Sequence, residues 1–472
     1  MLNYFPKYFT TKAIVTYFIA LLTVLIVFNQ HVMVWYGWVF GIIAVVGFFY
    51  FANVLTKKWS NNISQKNFSK KLFWISFSIR IVWVVFSYYF YLYMTGTPFE
   101  FGSADAVGYN QCGVEISDSL RKGYWWIFGA FINLMGPSDA GYISYLGVLY
   151  YIFDDSIFIA RLIKALLSAA TVVLIYRLAS RNFGEETGRM AAIFCMLMPN
   201  LIYYCGLHMK ETEMLFLAVA FVERADFAMR SPKFSILNLI LPVLLAGSLF
   251  FFRTALGATA LFAFITALLL SSTRSIKKGG RRLILIAWVA VAVLYFMGGK
   301  ISTEVEVLWK EKNTNQQASM EWRAGRKGGN QYAKYASGAI FAPMIMIIPL
   351  PTVINIETQP SQQMFHGGYY VKNILAFFAI FSLFFLVKNK QWRDHLLIIS
   401  FSLGYLIVIA LSAFAQSERF HMPALPFLLI LAAVGVSQQT NKSKKYYTWY
   451  LVFIFVAIVG WSWFKLAGRG IV

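Results

Sequence analysis

The chain has 472 residues, of which 59% are hydrophobic and only 13% charged, and its formal net charge is +22. A soluble protein carries roughly a quarter charged residues, so this balance, with a mean hydropathy of +0.61, excludes a soluble globular enzyme and describes a polytopic helical membrane protein. Lysine and arginine sit in short loops between apolar runs, which excludes a separate nucleic-acid-binding domain and fits the charge bias of cytoplasmic loops.

Apolar runs close to the ~20 residues needed to cross a bilayer recur from end to end. In chain order they cover 13–29, 33–55, 72–94, 157–179, 188–206, 209–227, 235–251, 254–272, 283–298, 371–388, 395–414, 422–437 and 447–466. The expected fold is therefore all-α, a polytopic transmembrane bundle of about 13 spans with short interfacial helices in the exterior loops. The first run follows Lys7 and Lys12 as a signal peptide would, but it lacks a convincing small-residue cleavage site and reads as a retained span.

Residues 1–71 form two N-terminal spans with a basic loop, and 72–298 a core with a first long loop at 95–156. Residues 299–370 form a second long loop, and 371–472 the C-terminal spans. Charge sets the sides. Lys57, Lys58, Lys66, Lys70 and Lys71, then Arg181 and Arg189, Arg224, Arg230 and Lys233, the basic run at 274–282, Lys388, Lys390 and Arg393, and Lys442, Lys444 and Lys445 all fall in alternate loops. All of them are expected to be cytoplasmic, with the N-terminus inside. Segment 340–356 is apolar but holds Pro343, Pro349 and Pro351, and a crossing there would move the basic run 388–393 outside. It reads as re-entrant or interfacial, packed where protein or water satisfies its backbone.

The opposite face then collects loop 95–156, the turn 207–213, Arg253, loop 299–370 and the turn 415–421. Cys112, Cys195 and Cys205 form no CxxC pair and read as small buried apolar residues, with a Cys112–Cys205 disulfide as the minor alternative. WRAGRKGGNQYAKY at 322–335 is glycine-bearing but has no Gly-Lys-Ser/Thr, so it is not a phosphate-binding loop of the Walker type.

The chain is organised around GSADAVGYNQCGVEISDSLRKGYWW at 102–126, a polar, carboxylate-bearing loop in a sequence that is otherwise largely hydrocarbon. Asp105 lies four residues before Tyr109. A carboxylate followed by Tyr in the first long exterior loop resembles the catalytic loop of integral-membrane GT-C glycosyltransferases. The stretch 159–217 is similar to that group's pattern, with an Arg-bearing helix, the turn YRLASRNFG and a Pro-containing helix ending in paired tyrosines. So is SERFHMPALPF at 417–427, an Arg followed by a Pro-rich helix start.

The resemblance covers about residues 72–437. It implies transfer of a sugar from a polyprenyl-phosphate-linked donor on the non-cytoplasmic face, at a bacterial inner (plasma) membrane. The acceptor would be a lipid, a glycan or a protein. Asp105 is the expected catalytic carboxylate; Tyr109, Lys210, Glu211, Glu213, Arg161, Arg419 and His421 are expected to hold substrate. Two spans before the catalytic loop and the long loop 299–370 depart from the pattern.

Direct displacement needs a base on the acceptor hydroxyl, and phosphate leaves without a general acid, so one carboxylate and several cations suffice. Hydrolysis of a glycoside, by contrast, usually needs two carboxylates. One aspartate with glutamates nearby fits catalysis with or without a divalent cation such as Mg or Mn. Structural roles stand against each assignment. Asp105 also suits a helix start, Glu211 and Glu213 a helix N-terminus, and Arg419 a membrane rim. Arg161 and Lys164 lie about one turn apart near an exterior helix end. Mid-span Arg80 is expected in a structural ion pair, and Tyr124-Trp125-Trp126 in an interfacial aromatic belt. A polysaccharide polymerase or O-antigen ligase, using Arg323, Arg326 and His366, is the alternative enzyme. A flippase for lipid-linked oligosaccharide is the alternative from another class.

Overall fold

The computed structural model describes residues 2–59, 63–231, 236–270, 312–357 and 359–471. The expected span 283–298, the basic run 274–282, Lys233 and the start of loop 299–370 lie outside the described residues. Among the described residues the chain is helical, with no strand. The helices are α1 (Lys7–Val27), α2 (Trp35–Trp59), α3 (Gln65–Thr95), α4 (Ala104–Arg121), α5 (Ile127–Met135), α6 (Pro137–Phe153), α7 (Ile157–Phe183), α8 (Glu185–Leu197), α9 (Pro199–Cys205), α10 (Glu211–Arg230), α11 (Ile236–Phe252) and α12 (Thr254–Leu270). After the undescribed stretch come α13 (Lys312–Gly325), α14 (Gly338–Met344), α15 (Gln362–Lys388), α16 (Leu396–Ala410), α17 (Glu418–His421), α18 (Leu425–Ser437) and α19 (Asn441–Ala467).

Eight helical runs are long and apolar enough to cross a membrane: α1, α2, α3, α7, α15, Trp392–Ala410, Glu418–Ser437 and α19. Ile240–Phe252 and α12 are apolar but shorter. Two other expected spans fall short for identifiable reasons. Residues 188–206 break into α8 and α9 at Pro199, and α10 carries Glu211, Glu213, Glu223 and Asp226. Both are nevertheless at the centre: α8, α10 and α18 are buried on nearly every face, while α1, α2, α3 and α19 expose large apolar side chains outward. Where α18 crosses α15, Gly435 lies so close that an added Cβ would stand 1.9 Å from the Phe378 carbonyl oxygen. Small residues let helix backbones approach in this way.

The helix ends sort into two sets joined by hydrogen bonds. At one end Arg189 reaches the carbonyls of Trp59 and Ile63, Arg181 pairs with Glu223 and Asp226, Arg230 with Asp226, and Tyr8 meets Lys444 and Thr448. At the other, Arg419 reaches Asp105, Lys210 reaches Ser138 and Phe252, and Asn355 binds His31. Gln331 likewise binds Gly468, and Lys465 binds Gln359. Tyr124, Trp125 and Trp126 are exposed between α4 and α5 at this second end. The three cysteines are free.

Breaks in helices leave carbonyls without partners, and in a bilayer those must be satisfied within the protein. Pro199 has no N–H for the carbonyl of Cys195 four residues earlier. Arg80 supplies the donors instead. It is fully buried, with Nη2 3.4 Å from Cys195 O, Nη1 3.4 Å from Met196 O and Nε 2.6 Å from Ser168 Oγ. The expected ion pair is thus a set of bonds to backbone and hydroxyl oxygens. Segment 340–356 holds the short α14 followed by a buried, non-helical stretch. There Lys372 donates to Ile348 O at 2.7 Å, and Asn373 to Ile347 O and Pro349 O.

Candidate functional site

Gly102, with φ +65°, turns the chain into α4, and Asp105 occupies that helix's first turn, where the positive end of the helix favours a carboxylate. α4 is pinned to α6 through Gly113 and Gly147. A Cβ on Gly147 would stand 2.3 Å from Ile116 Cγ2, so no larger residue fits that crossing. The result is a fixed platform with Asp105 half exposed at its tip.

Arg419 meets it from the other side of the sequence. Its Nη1 lies 2.5 Å from Asp105 Oδ2 and its Nε 3.5 Å from Glu211 Oε1, at the start of α10. Glu211 is fully buried and its carboxylate accepts no hydrogen bond among the described residues. Phe420 stacks on Phe414 with centroids 4.2 Å apart, and Arg253 lies 4.0 Å over its ring. Arg419 is held in place by its neighbours in α17. Glu418 accepts from Asn200 at 2.9 Å and pairs with Lys372 at 3.4 Å, and Lys372 is also 3.1 Å from His421 Nδ1. His421 Nε2 lies 2.8 Å from Ala415 O. His421 is therefore enclosed in the support of Arg419, outside the cavities described below.

Tyr109, Lys210, Glu213 and Arg161 also make fixed contacts. Tyr109 donates to Asp139 Oδ1 at 2.8 Å, and Lys210 binds the same oxygen as well as Ser138 O and Phe252 O. Burial pushes the Asp139 carboxyl up, but the Lys210 ammonium and the two hydrogen bonds outweigh it and hold it below the usual carboxylate range. Glu213 pairs with buried Lys164 at 3.5 Å, and Lys164 caps the carbonyls of Leu207 and Met209. Arg161 donates to Pro98 O at 2.5 Å. Of the expected substrate-holding residues, Glu211 and Arg419 come together with Asp105. The other five build the walls behind them.

Two cavities meet at Asp105, Arg419, Gln362 and Ser417. The larger, about 1070 Å³, is lined by Arg323, Arg326, Lys327, Arg419, Lys465 and Arg469, and Asp105 is the one carboxylate on its described wall. Apolar residues of 340–350 form its floor. The smaller, about 240 Å³, has the opposite balance: Glu100, Asp105 and Glu418 against Arg419, with Tyr203, Tyr204 and Tyr369. Burial pushes the Glu100 carboxyl up.

Lys465 and Arg469 escape a motif search, yet they carry a signal. They stand at the C-terminal end of α19, whose other end bears Lys442, Lys444 and Lys445, so they sit on the side where the charge rule expects few cations. His366, which the polymerase alternative would use, is buried 2.8 Å from Tyr17 Oη and 2.7 Å from Gln363 O, away from both cavities.

Among the described residues no three His, Cys, Asp or Glu side chains converge as a metal ion requires. The space between the carboxylates of Asp105 and Glu211 is filled by a guanidinium, so these residues do not fit a divalent ion. Compared with known proteins, the chain matches no protein-family model and none of the curated proteins.

Proposed function

We propose that this chain is a membrane glycosyltransferase that moves a sugar from a polyprenyl-phosphate-linked donor to an acceptor hydroxyl, with Asp105 as the base. The observation that carries the reading is the position of Asp105 and Arg419 on the wall shared by two cavities of opposite charge balance. The cationic cavity with an apolar floor suits a lipid-linked phosphate, and the small aromatic one suits a neutral, hydroxyl-bearing acceptor. Asp105 takes the acceptor's hydroxyl proton as its oxygen bonds to the anomeric carbon. The bond from that carbon to the phosphate oxygen breaks, and the departing charge is held by the cations around it. Arg419 bridges the two halves, orienting the carboxylate and facing the leaving group.

The finer membrane arrangement belongs to this proposal. The N-terminus and basic loops lie in the cytoplasm, about 13 helical segments cross a bacterial inner membrane, and transfer occurs on the far side. The acceptor is a lipid, glycan or protein on that side. The polymerase or ligase alternative keeps Arg323 and Arg326 in the cationic cavity but loses His366 to the interior.

The test is transfer by the purified protein in nanodiscs, supplied with polyprenyl-phosphate-linked sugars. Cells lacking the protein are expected to accumulate its lipid-linked donor, and the purified protein to release the polyprenyl phosphate from that donor. Unaltered lipid-linked sugars in such cells would overturn the proposal.

A further inference from the structure

The cationic cavity holds more positive charge than one phosphodiester can use. Among the described residues six basic side chains line it against one carboxylate, and that carboxylate already pairs with Arg419. The other five, Arg323, Arg326, Lys327, Lys465 and Arg469, have no carboxylate partner among the described residues. Arg323 lies over the Phe414 ring and donates to Ala413 O; Arg326 lies over Trp322. Arg469 donates to Gly328 O at 3.0 Å and Lys465 to Gln359 at 3.0 Å. These contacts orient the groups without neutralising them. They converge from the end of α13 with the turn after it and from the end of α19, so two stretches of chain far apart in sequence bring like charges together. A bound anion would relieve the repulsion among them.

Resting on the transferase reading, we infer that the donor's sugar is joined to its lipid through a diphosphate rather than a single phosphate. A diphosphate spreads its charge over two groups, and its departure concentrates further charge on the side where these cations stand. Arg419 meets the phosphate next to the anomeric carbon. The set at Arg326, Lys327 and Arg469 meets the second phosphate, above the apolar floor that takes the start of the lipid chain.

The test compares binding of a polyprenyl monophosphate and a polyprenyl diphosphate of the same chain length to the full chain in nanodiscs of neutral lipid. An anionic phospholipid serves as competitor. The expected result is binding at least about tenfold tighter for the diphosphate, weakening with salt as charge-driven binding does. Arg326→Gln with Lys327→Gln should bring the ratio towards one while monophosphate binding persists. Arg326→Lys, which keeps the charge, should retain most of the preference. Equal affinity for both polyprenyl lipids would overturn the diphosphate inference and leave the transferase reading standing. Displacement by the phospholipid at equal concentration would overturn it too, assigning the cations to headgroups. Failure of both polyprenyl lipids to bind a folded protein would overturn the transferase reading itself.

Discussion

The guanidinium of Arg419 joins two carboxylates of different standing: Asp105, half exposed at the tip of α4, and Glu211, buried at the start of α10. A guanidinium offers donors in a fixed fork that an ammonium cannot copy. Arg419→Lys is therefore expected to lose roughly tenfold or more in donor affinity, measured by lipid binding in nanodiscs, while the protein still inserts. Arg419→Ala goes further, because it leaves Glu211 buried without its ion pair. That variant should be destabilised by about 3–5 kcal/mol, and adding Glu211→Gln should recover part of the loss in thermal unfolding.

Lys372 and Glu418 form the support beneath Arg419, and both are buried. Lys372→Met removes the counter-charge and the donor to Ile348 O together. Thermal unfolding in detergent should show a loss of about 3–5 kcal/mol, well beyond that of an exposed substitution such as Lys388→Met. A Lys372→Met protein as stable as the parent would remove this pair from the account.

Asp139 gives a pH signature. Its folded-state carboxyl titrates below the ordinary value, so the stability it contributes is present above the unfolded value and is lost as pH falls through the folded one. The stability gap between parent and Asp139→Asn should be full at neutral pH and narrow below about pH 4. A gap that stays constant down to pH 3 would contradict the Lys210–Asp139 pairing. Tyr109→Phe loses one hydrogen bond to the same carboxylate and should cost only about 1 kcal/mol.

The proposed orientation is open to labelling. In a chain with Cys112 replaced by Ser, Ser103→Cys and Gln331→Cys should react with a membrane-impermeant thiol reagent from outside, and Ser64→Cys should not. Outside labelling of Ser64→Cys would reverse the orientation.

Much of the helical pattern is legible in the sequence, because apolar length and the positions of Lys and Arg act locally. The two sets of helix ends follow the same alternation as the basic loops. Asp105 stands out because a carboxylate in a polar loop after an apolar run is rare in such a chain. Its pairing with Arg419 is not legible, since 314 residues separate them and only the folded bundle brings α4 and α17 together. Arg80 and Lys372 announce only that a mid-span charge has a partner. That the partners include carbonyls freed at Pro199 and in segment 340–356 depends on where each break lies in space. Tyr109, Lys210 and Glu213 share the neighbourhood of Asp105 but spend their polar atoms on one another's supports, which spacing alone does not distinguish from holding substrate.

The central claim is that Asp105 is the base. Asp105→Asn keeps the size of the side chain and one acceptor for Arg419 but removes the basicity. The decisive measurement is turnover of this variant against the parent, at matched expression and with donor binding recorded alongside. The account predicts a fall of roughly 10²–10⁴-fold in turnover with donor affinity largely kept, and only partial recovery in Asp105→Glu, where an added methylene moves the oxygen. Near-normal turnover of Asp105→Asn in a correctly inserted protein would contradict it.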